Sequence, residues 1–322
     1  MQAILAVTVP FFALVLAGYL AAQRKVLPEA AIPGLNAFVL FFALPCMLFR
    51  FGMNTPVLQL LNPVVLGVYL AAALAVVAFT VAVTWGGHIT LKDAAFGALV
   101  AAFPNTGFMG VPLLAALLGS AAAGPVISTI LADLFVTSSL CIALAEAHGA
   151  ADHGMRRAAA KALRGALSNP LPWAIALGAL SSVSGIKPVG PVDAIIKMLA
   201  DAATPVALFT IGAVLWRAGQ HAHTRTPAAQ FLPVALIKLF LHPLLVGTLG
   251  ASARLLGAPL SVFELTVLTL AAALPSASNV SLLAERYGAD NGRVARIILT
   301  STALAFVSFS ALAWAFGAGR PV

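Results

Sequence analysis

Charge is what this sequence has least of: 10 acidic and 18 basic residues among 322, or 9% in all, against 61% hydrophobic. A soluble domain of this length needs far more charge to cover its surface, so the composition excludes that class and leaves a polytopic membrane protein. Only two residues are cysteines. Cys46 and Cys141 both fall within apolar runs, where they read as packing residues, and neither a disulfide nor a metal site is expected. The first apolar run, near residues 3–22, has no basic segment ahead of it; Arg24 and Lys25 follow it instead, so it reads as a retained span. The basic residues do not gather with aromatics into one patch, so the net charge of +8 does not point to nucleic acid.

Catalytic and channel signatures are missing too. An intramembrane enzyme needs a nucleophile or an acid pair, yet there is no G-x-S-G stretch and no two membrane-depth aspartates lie close together. No selectivity filter or charge ring of a channel is apparent. His88, His148, His153, His221 and His223 fall in loops and have no zinc-like spacing with cysteine.

What is present is a series of apolar runs. A helix crosses the hydrocarbon with about 20 apolar residues, and ten candidates lie near 3–22, 31–51, 64–85, 91–118, 124–146, 169–184, 194–217, 230–253, 262–285 and 294–317. With the N-terminus outside, twelve basic residues, from Arg24 to Arg296, fall in inner loops and five, among them Arg50 and Arg254, in outer ones. The positive-inside rule therefore places both termini outside the cytoplasm. A connection at 148–168 would be a solvated cytoplasmic linker between two five-span halves, 1–147 and 169–322.

The halves resemble each other. "AAFPNTGFM" (101–109) lines up with "AALPSASNV" (272–280), "LFRFG" (48–52) with "LWRAG" (215–219), "NPVVL" (62–66) with "LPVAL" (232–236), and "VTSSL" (136–140) with "LTSTA" (299–303). An odd number of spans per half makes the second half enter the membrane in the opposite sense, an inverted repeat. The expected fold is thus all-α, with ten transmembrane helices in two inverted repeats and broken helices at spans 4 and 9.

Those breaks stand near mid-depth. Pro104 and Pro275 remove a backbone donor and clash with the preceding turn, so each span leaves its helix there. Unpaired backbone at that depth is tolerated only inside protein or along a polar cavity, and two breaks in corresponding positions point to a binding site. Asn105, Thr106 and Gly107, with Ser276, Ser278 and Asn279, are the candidate binding residues: they can cap the new half-helices or bond a ligand. The half-helix N-termini would attract a carboxylate.

At "PNTGFMGVPLL" in span 4 and "LPSASNVSLLAERYG" in span 9, and in its ten-span layout, the whole chain resembles the auxin efflux carrier family, whose bacterial members include carriers of malonate and other organic acids. The resemblance implies a fold akin to bile acid symporters and sodium/proton antiporters. Spans 3–5 and 8–10 would form a transport domain that moves like an elevator against a scaffold of spans 1, 2, 6 and 7, with a homodimer through the scaffold. Plant members carry a much longer central loop, which argues against auxin itself. Bile acid symporters hold sodium with acidic residues near the ninth-span crossover, where this chain has Ser276, Ser278 and Asn279, which argues against sodium.

Three ionisable residues lie deep: Asp133 in span 5, and Lys238 and His242 in span 8. An intramembrane charge is a functional candidate by default. Asp133 and Lys238 are expected to interact, with Arg296 as a rival partner, and protonation of Asp133 is expected to be linked to transport; a purely structural ion pair is the other reading. The function expected from all this is a carrier of a small organic anion, a malonate-like dicarboxylate or a monocarboxylate, without a cofactor. A membrane sensor that binds such an acid without moving it is the alternative.

Overall fold

The computed structural model describes residues 1–147, 160, 163–220 and 226–318; most of the expected 148–168 linker and Val322 lie outside them. Twelve helices account for nearly all of the described chain: α1 (Gln2–Gln23), α2 (Ala31–Asn54), α3 (Pro63–Thr84), α4 (Leu91–Ala102), α5 (Thr106–Leu118), α6 (Ser120–Glu146), α7 (Pro170–Ser184), α8 (Pro191–Gln220), α9 (Ala228–Leu255), α10 (Val262–Ala272), α11 (Val280–Tyr287) and α12 (Asn291–Ala315). Seven of these, α1, α2, α3, α6, α8, α9 and α12, are long and apolar enough to cross a membrane. Spans 4 and 9 of the sequence reading fall on the broken pairs α4–α5 and α10–α11.

Helix starts follow from local chemistry. Asn62, Thr90, Asn169 and Asp290 each accept a backbone N–H of the following first turn, and Ser261 forms a reciprocal capping box with Glu264. These side chains satisfy donors that a helix start leaves orphaned. The long helices are apolar over most of their length, and Leu16 of α1, Phe79 of α3 and Leu244 of α9 stand exposed on the outer surface. Such a surface is stable only against lipid.

Close helix contacts are made through glycine. A Cβ on Gly18 of α1 would run into the Phe209 carbonyl of α8, and one on Gly212 of α8 into the Val15 carbonyl of α1. The α2 and α7 pair repeats the device, with Gly178 against the Phe49 carbonyl and Gly52 against Ile175. Small residues let apolar helices approach closely where no hydrophobic effect drives them together. By contrast α4 is buried along its whole length from Ala94 to Ala102, and with α10 and the first turns of α12 it forms the interior.

Three long helices carry a π-turn: Val39–Ala43 in α2, Asp133–Thr137 in α6 and Ile237–Leu241 in α9. A fourth, Thr106–Gly110, opens α5. π-Turns leave one residue extra in the helix and are frequent at functional sites.

Candidate functional site

The two breaks meet. Pro104 and Ser276 face each other in an isolated antiparallel bridge, where the Asn105 N–H donates to the Pro275 carbonyl at 2.8 Å and the Ala277 N–H to the Phe103 carbonyl at 2.9 Å. Each proline frees backbone groups in its own helix, and the opposite break satisfies them. Ser276 completes the crossing: its hydroxyl donates to the Val100 carbonyl at 2.7 Å, and its N–H donates to Ser301 Oγ of α12 at 3.2 Å. Irregular backbone is thereby paired with protein at the depth where no water is available.

Beside this crossing lies a small pocket of about 30 Å³ lined by Pro104, Asn105, Thr106, Gly107, Ala277 and Asn279, with apolar walls from Leu40, Phe103, Phe108, Ile130 and Leu134. Its volume suits one water or one carboxylate oxygen. It shares Leu40, Phe103, Phe108, Leu134, Asn169 and Asn279 with a cleft of about 540 Å³ that leads outward between α2, α6 and α11. Four of the six candidate binding residues are therefore gathered on one pocket. Ser276 and Ser278 are not on its wall; both are buried, Ser276 holding the crossing together.

Capping is not what the two asparagines do. Neither Asn105 nor Asn279 makes a side-chain hydrogen bond to the helix it precedes, which corrects that part of the expectation. The π-turn explains it for Asn105, whose carbonyl already accepts from both Met109 and Gly110. Thr106 is fully buried and its hydroxyl has no partner among the described residues. A buried polar group without a bond is costly, which marks the Thr106 hydroxyl as a candidate contact for a ligand at this pocket.

A second polar cluster sits behind the crossing, entirely buried. Tyr69 of α3 donates to Asp133 Oδ2 at 2.7 Å and Thr137 donates to Oδ1 at 3.0 Å. Lys238 Nζ donates to the Ala272 carbonyl at 2.6 Å and lies 3.2 Å from His242 Nδ1. Ala272 ends α10 just before the break, so the ammonium sits at the negative end of that half-helix dipole. Asp133 and Lys238 form no salt bridge among the described residues; each is hydrogen-bonded to other partners, and the two charges act on each other through space rather than by contact. Arg296 is not Asp133's partner either, since its guanidinium lies over the Phe231 ring at 5.9 Å. The Tyr69 and His242 rings, with centroids 5.7 Å apart, bridge the two halves of the cluster.

Sequence reading missed two buried polar residues, one in this cluster and one apart from it. Tyr69 lies in an apolar run with nothing local to mark it. Arg293 is assigned by sequence to an inner loop but is 1% exposed; its guanidinium donates to the carbonyls of Gln230 and Asp93 and lies against Gly97, where a Cβ would displace it. Asp93 in turn accepts the Asp290 N–H at 2.7 Å, so the starts of α4, α9 and α12 are tied at one point.

A family model described as membrane transport protein matches residues 3–313. A relative from Rhizobium meliloti (strain 1021), named "Putative malonate transporter", is 28% identical over 320 residues, covering 99% of this chain and 98% of its own. "Uncharacterized transporter YfdV" of Escherichia coli (strain K12) is 26% identical over 290 residues, 86% of each chain. An "Uncharacterized transporter" of Methanothermobacter thermautotrophicus is 26% identical over 297 residues, 92% of each.

Proposed function

The chain belongs to the membrane transport protein family, that of the auxin efflux carriers, and from that premise we propose that it is a secondary carrier of a small organic anion bound at the crossing of its two broken helices. The observation that carries the reading is the convergence of Asn105, Thr106, Gly107 and Asn279 on one pocket between two half-helix starts, with the Thr106 hydroxyl unbonded among the described residues. Half-helix N-termini and neutral amide donors hold a carboxylate without a permanent counter-charge, so the anion remains able to leave. A malonate-like dicarboxylate is the leading substrate, in keeping with the name borne by the Rhizobium relative.

The same reading includes ten membrane crossings in two inverted repeats, 1–147 and 169–322, with both termini outside the cytoplasm of a bacterial inner membrane. Support comes from the matched breaks at Pro104 and Pro275 and from the matched glycine contacts of α1 with α8 and of α2 with α7. Spans 1, 2, 6 and 7 would be the scaffold, also carrying a homodimer contact, and the crossing would travel with spans 3–5 and 8–10 in an elevator movement. Asp133, with Lys238 and His242, would couple transport to protons, and sodium is not part of the proposal.

Uptake of labelled malonate and acetate by proteoliposomes holding the full chain tests the reading. Saturable uptake that needs Asn105 and Asn279 is the expected result. Saturable binding without flux would make the protein a sensor, and neither binding nor flux of any organic anion would remove the proposal.

A further inference from the structure

The cleft that opens from the crossing differs in charge from the other two along the same helices. Among the described residues its wall carries two guanidinium groups, Arg164 and Arg286, and no carboxylate, whereas each of the others has an arginine and an acid on its wall, Arg217 and Glu285 in one and Arg50 and Asp201 in the other. Neither Arg164 nor Arg286 forms a salt bridge among the described residues. A low-dielectric cleft with uncompensated positive charge concentrates anions.

Register makes one of the two arginines specific. Asn279 stands at the start of α11 with helical backbone angles, and Arg286 follows it by seven residues, two turns along the same face. The rise between them is about 10 Å, and Leu282 and Leu283 line the cleft in between. Side chains of a helix lean toward its N-terminus, which here is the crossing, so helix geometry directs Arg286 along the cleft wall toward Asn279, and both residues line that cleft. The stretch between them fits a short chain with an anionic group at each end. We propose that Arg286 is the specificity-determining residue for a second carboxylate: the substrate is a short dicarboxylate, one end held at Asn105 and Asn279 and the other by the Arg286 guanidinium. This rests on the crossing being the binding site and specifies its ligand class. Guanidinium and carboxylate match in a bidentate geometry, which a neutral amide cannot reproduce.

The test is equilibrium binding to the full chain in nanodiscs by calorimetry, with malonate, its monoamide malonamate and acetate as probes, on wild type, Arg286→Gln, Arg286→Lys and Arg164→Gln. Wild type should prefer malonate to malonamate by about tenfold or more, the scale of one charge-assisted bond. Arg286→Gln should erase that preference, and Arg286→Lys should keep part of it. Wild type without the preference, or Arg286→Gln retaining it, overturns the inference. So does loss of the preference through Arg164→Gln alone. Binding with this preference but no flux in proteoliposomes would remove the carrier reading and leave the inference standing, so the two failures are distinct. Thermal melting of each variant in the same nanodiscs separates lost binding from lost fold.

Discussion

Arg50, near the end of α2, reaches Asp193 at the head of α8 with 2.5 Å between Nη1 and Oδ1, and Arg217, near the end of α8, meets Glu29, two residues before the start of α2, at 3.5 Å. These are the arginines that the match of "LFRFG" with "LWRAG" sets opposite one another. The two clips are thus one device used twice. Their side chains are 28% to 45% exposed, which screens the charge, and such pairs contribute about 0 to 1 kcal/mol. Arg50→Gln is expected to lower the stability of the purified protein by no more than about 1 kcal/mol, with little further loss on adding Asp193→Asn. Unfolding of the single variant under mild detergent would show that the clip matters more than its exposure allows.

The contact of α1 with α8 should be far less forgiving. Gly212 and Gly67 both sit inside helices, but a Cβ on Gly212 meets the Val15 carbonyl while one on Gly67 meets open space. Gly67→Ala should therefore gain about 0.5 to 1 kcal/mol from helix propensity. Gly212→Ala should lose about 1 to 3 kcal/mol from overpacking. Melting temperatures of the two variants moving in the same direction would contradict the packing described for α1 and α8.

At the crossing, structure and binding separate by residue. Ser301 accepts the Ser276 N–H, so Ser301→Ala strands a buried donor and should cost about 1 to 3 kcal/mol of stability. Asn105 and Asn279 make no side-chain bond to their helices. Asn105→Ala and Asn279→Ala should accordingly melt near wild type while malonate affinity drops by about tenfold, as for one lost buried hydrogen bond. Equal affinity in both variants would take the asparagines out of the site.

How much of this could be read from sequence depends on whether the cause is local. Pro104 and Pro275 declare themselves, because a proline in an apolar span has one local consequence, and the helix starts at Asn62 and Ser261 follow from capping chemistry next to them. The bridge between Pro104 and Ser276 joins residues 172 positions apart and has no local signature. Tyr69 was invisible for the same reason: an aromatic in an apolar helix looks like core until Asp133 is brought to it. Arg293 was misread because charge near a span end ordinarily faces water, and here carbonyls from α4 and α9 replace that water. The failure of the asparagine caps has two separate causes: Asn105 leads into a π-turn, and Asn279 itself has helical backbone angles rather than the extended ones of a capping residue, and neither is marked by a propensity scale.

Orientation can be tested independently of transport. Removing buried Arg293 from the loop count leaves eleven inner basic residues against five outer ones, so the bias keeps its sign. A phosphatase active only outside the cytoplasm, fused after Val322, should be active, and a fluorescent protein that matures only inside should stay dark there. The reverse pattern would invert the proposed topology and place the cleft beside the crossing on the other face.

The buried cluster yields the final prediction, on proton coupling. Asp133 takes its bonds from Tyr69 and Thr137, and Lys238 gives its own to Ala272 and His242. A structural ion pair would let both charges be removed together at little cost. These two groups have separate partners, so removing both should not restore what either loss takes away. Lys238→Met leaves the Ala272 carbonyl at the end of α10 without its donor, a defect that Asp133→Asn does nothing to mend. Uptake measured across pH should therefore vary in wild type and be flat in Asp133→Asn, with Asp133→Asn plus Lys238→Met no better than the weaker single variant. A pH profile in Asp133→Asn identical to wild type ends the coupling proposal. Recovery of transport in the double variant would instead mean that the two charges depend on each other more than on their separate partners, across the gap that Tyr69 and His242 now fill.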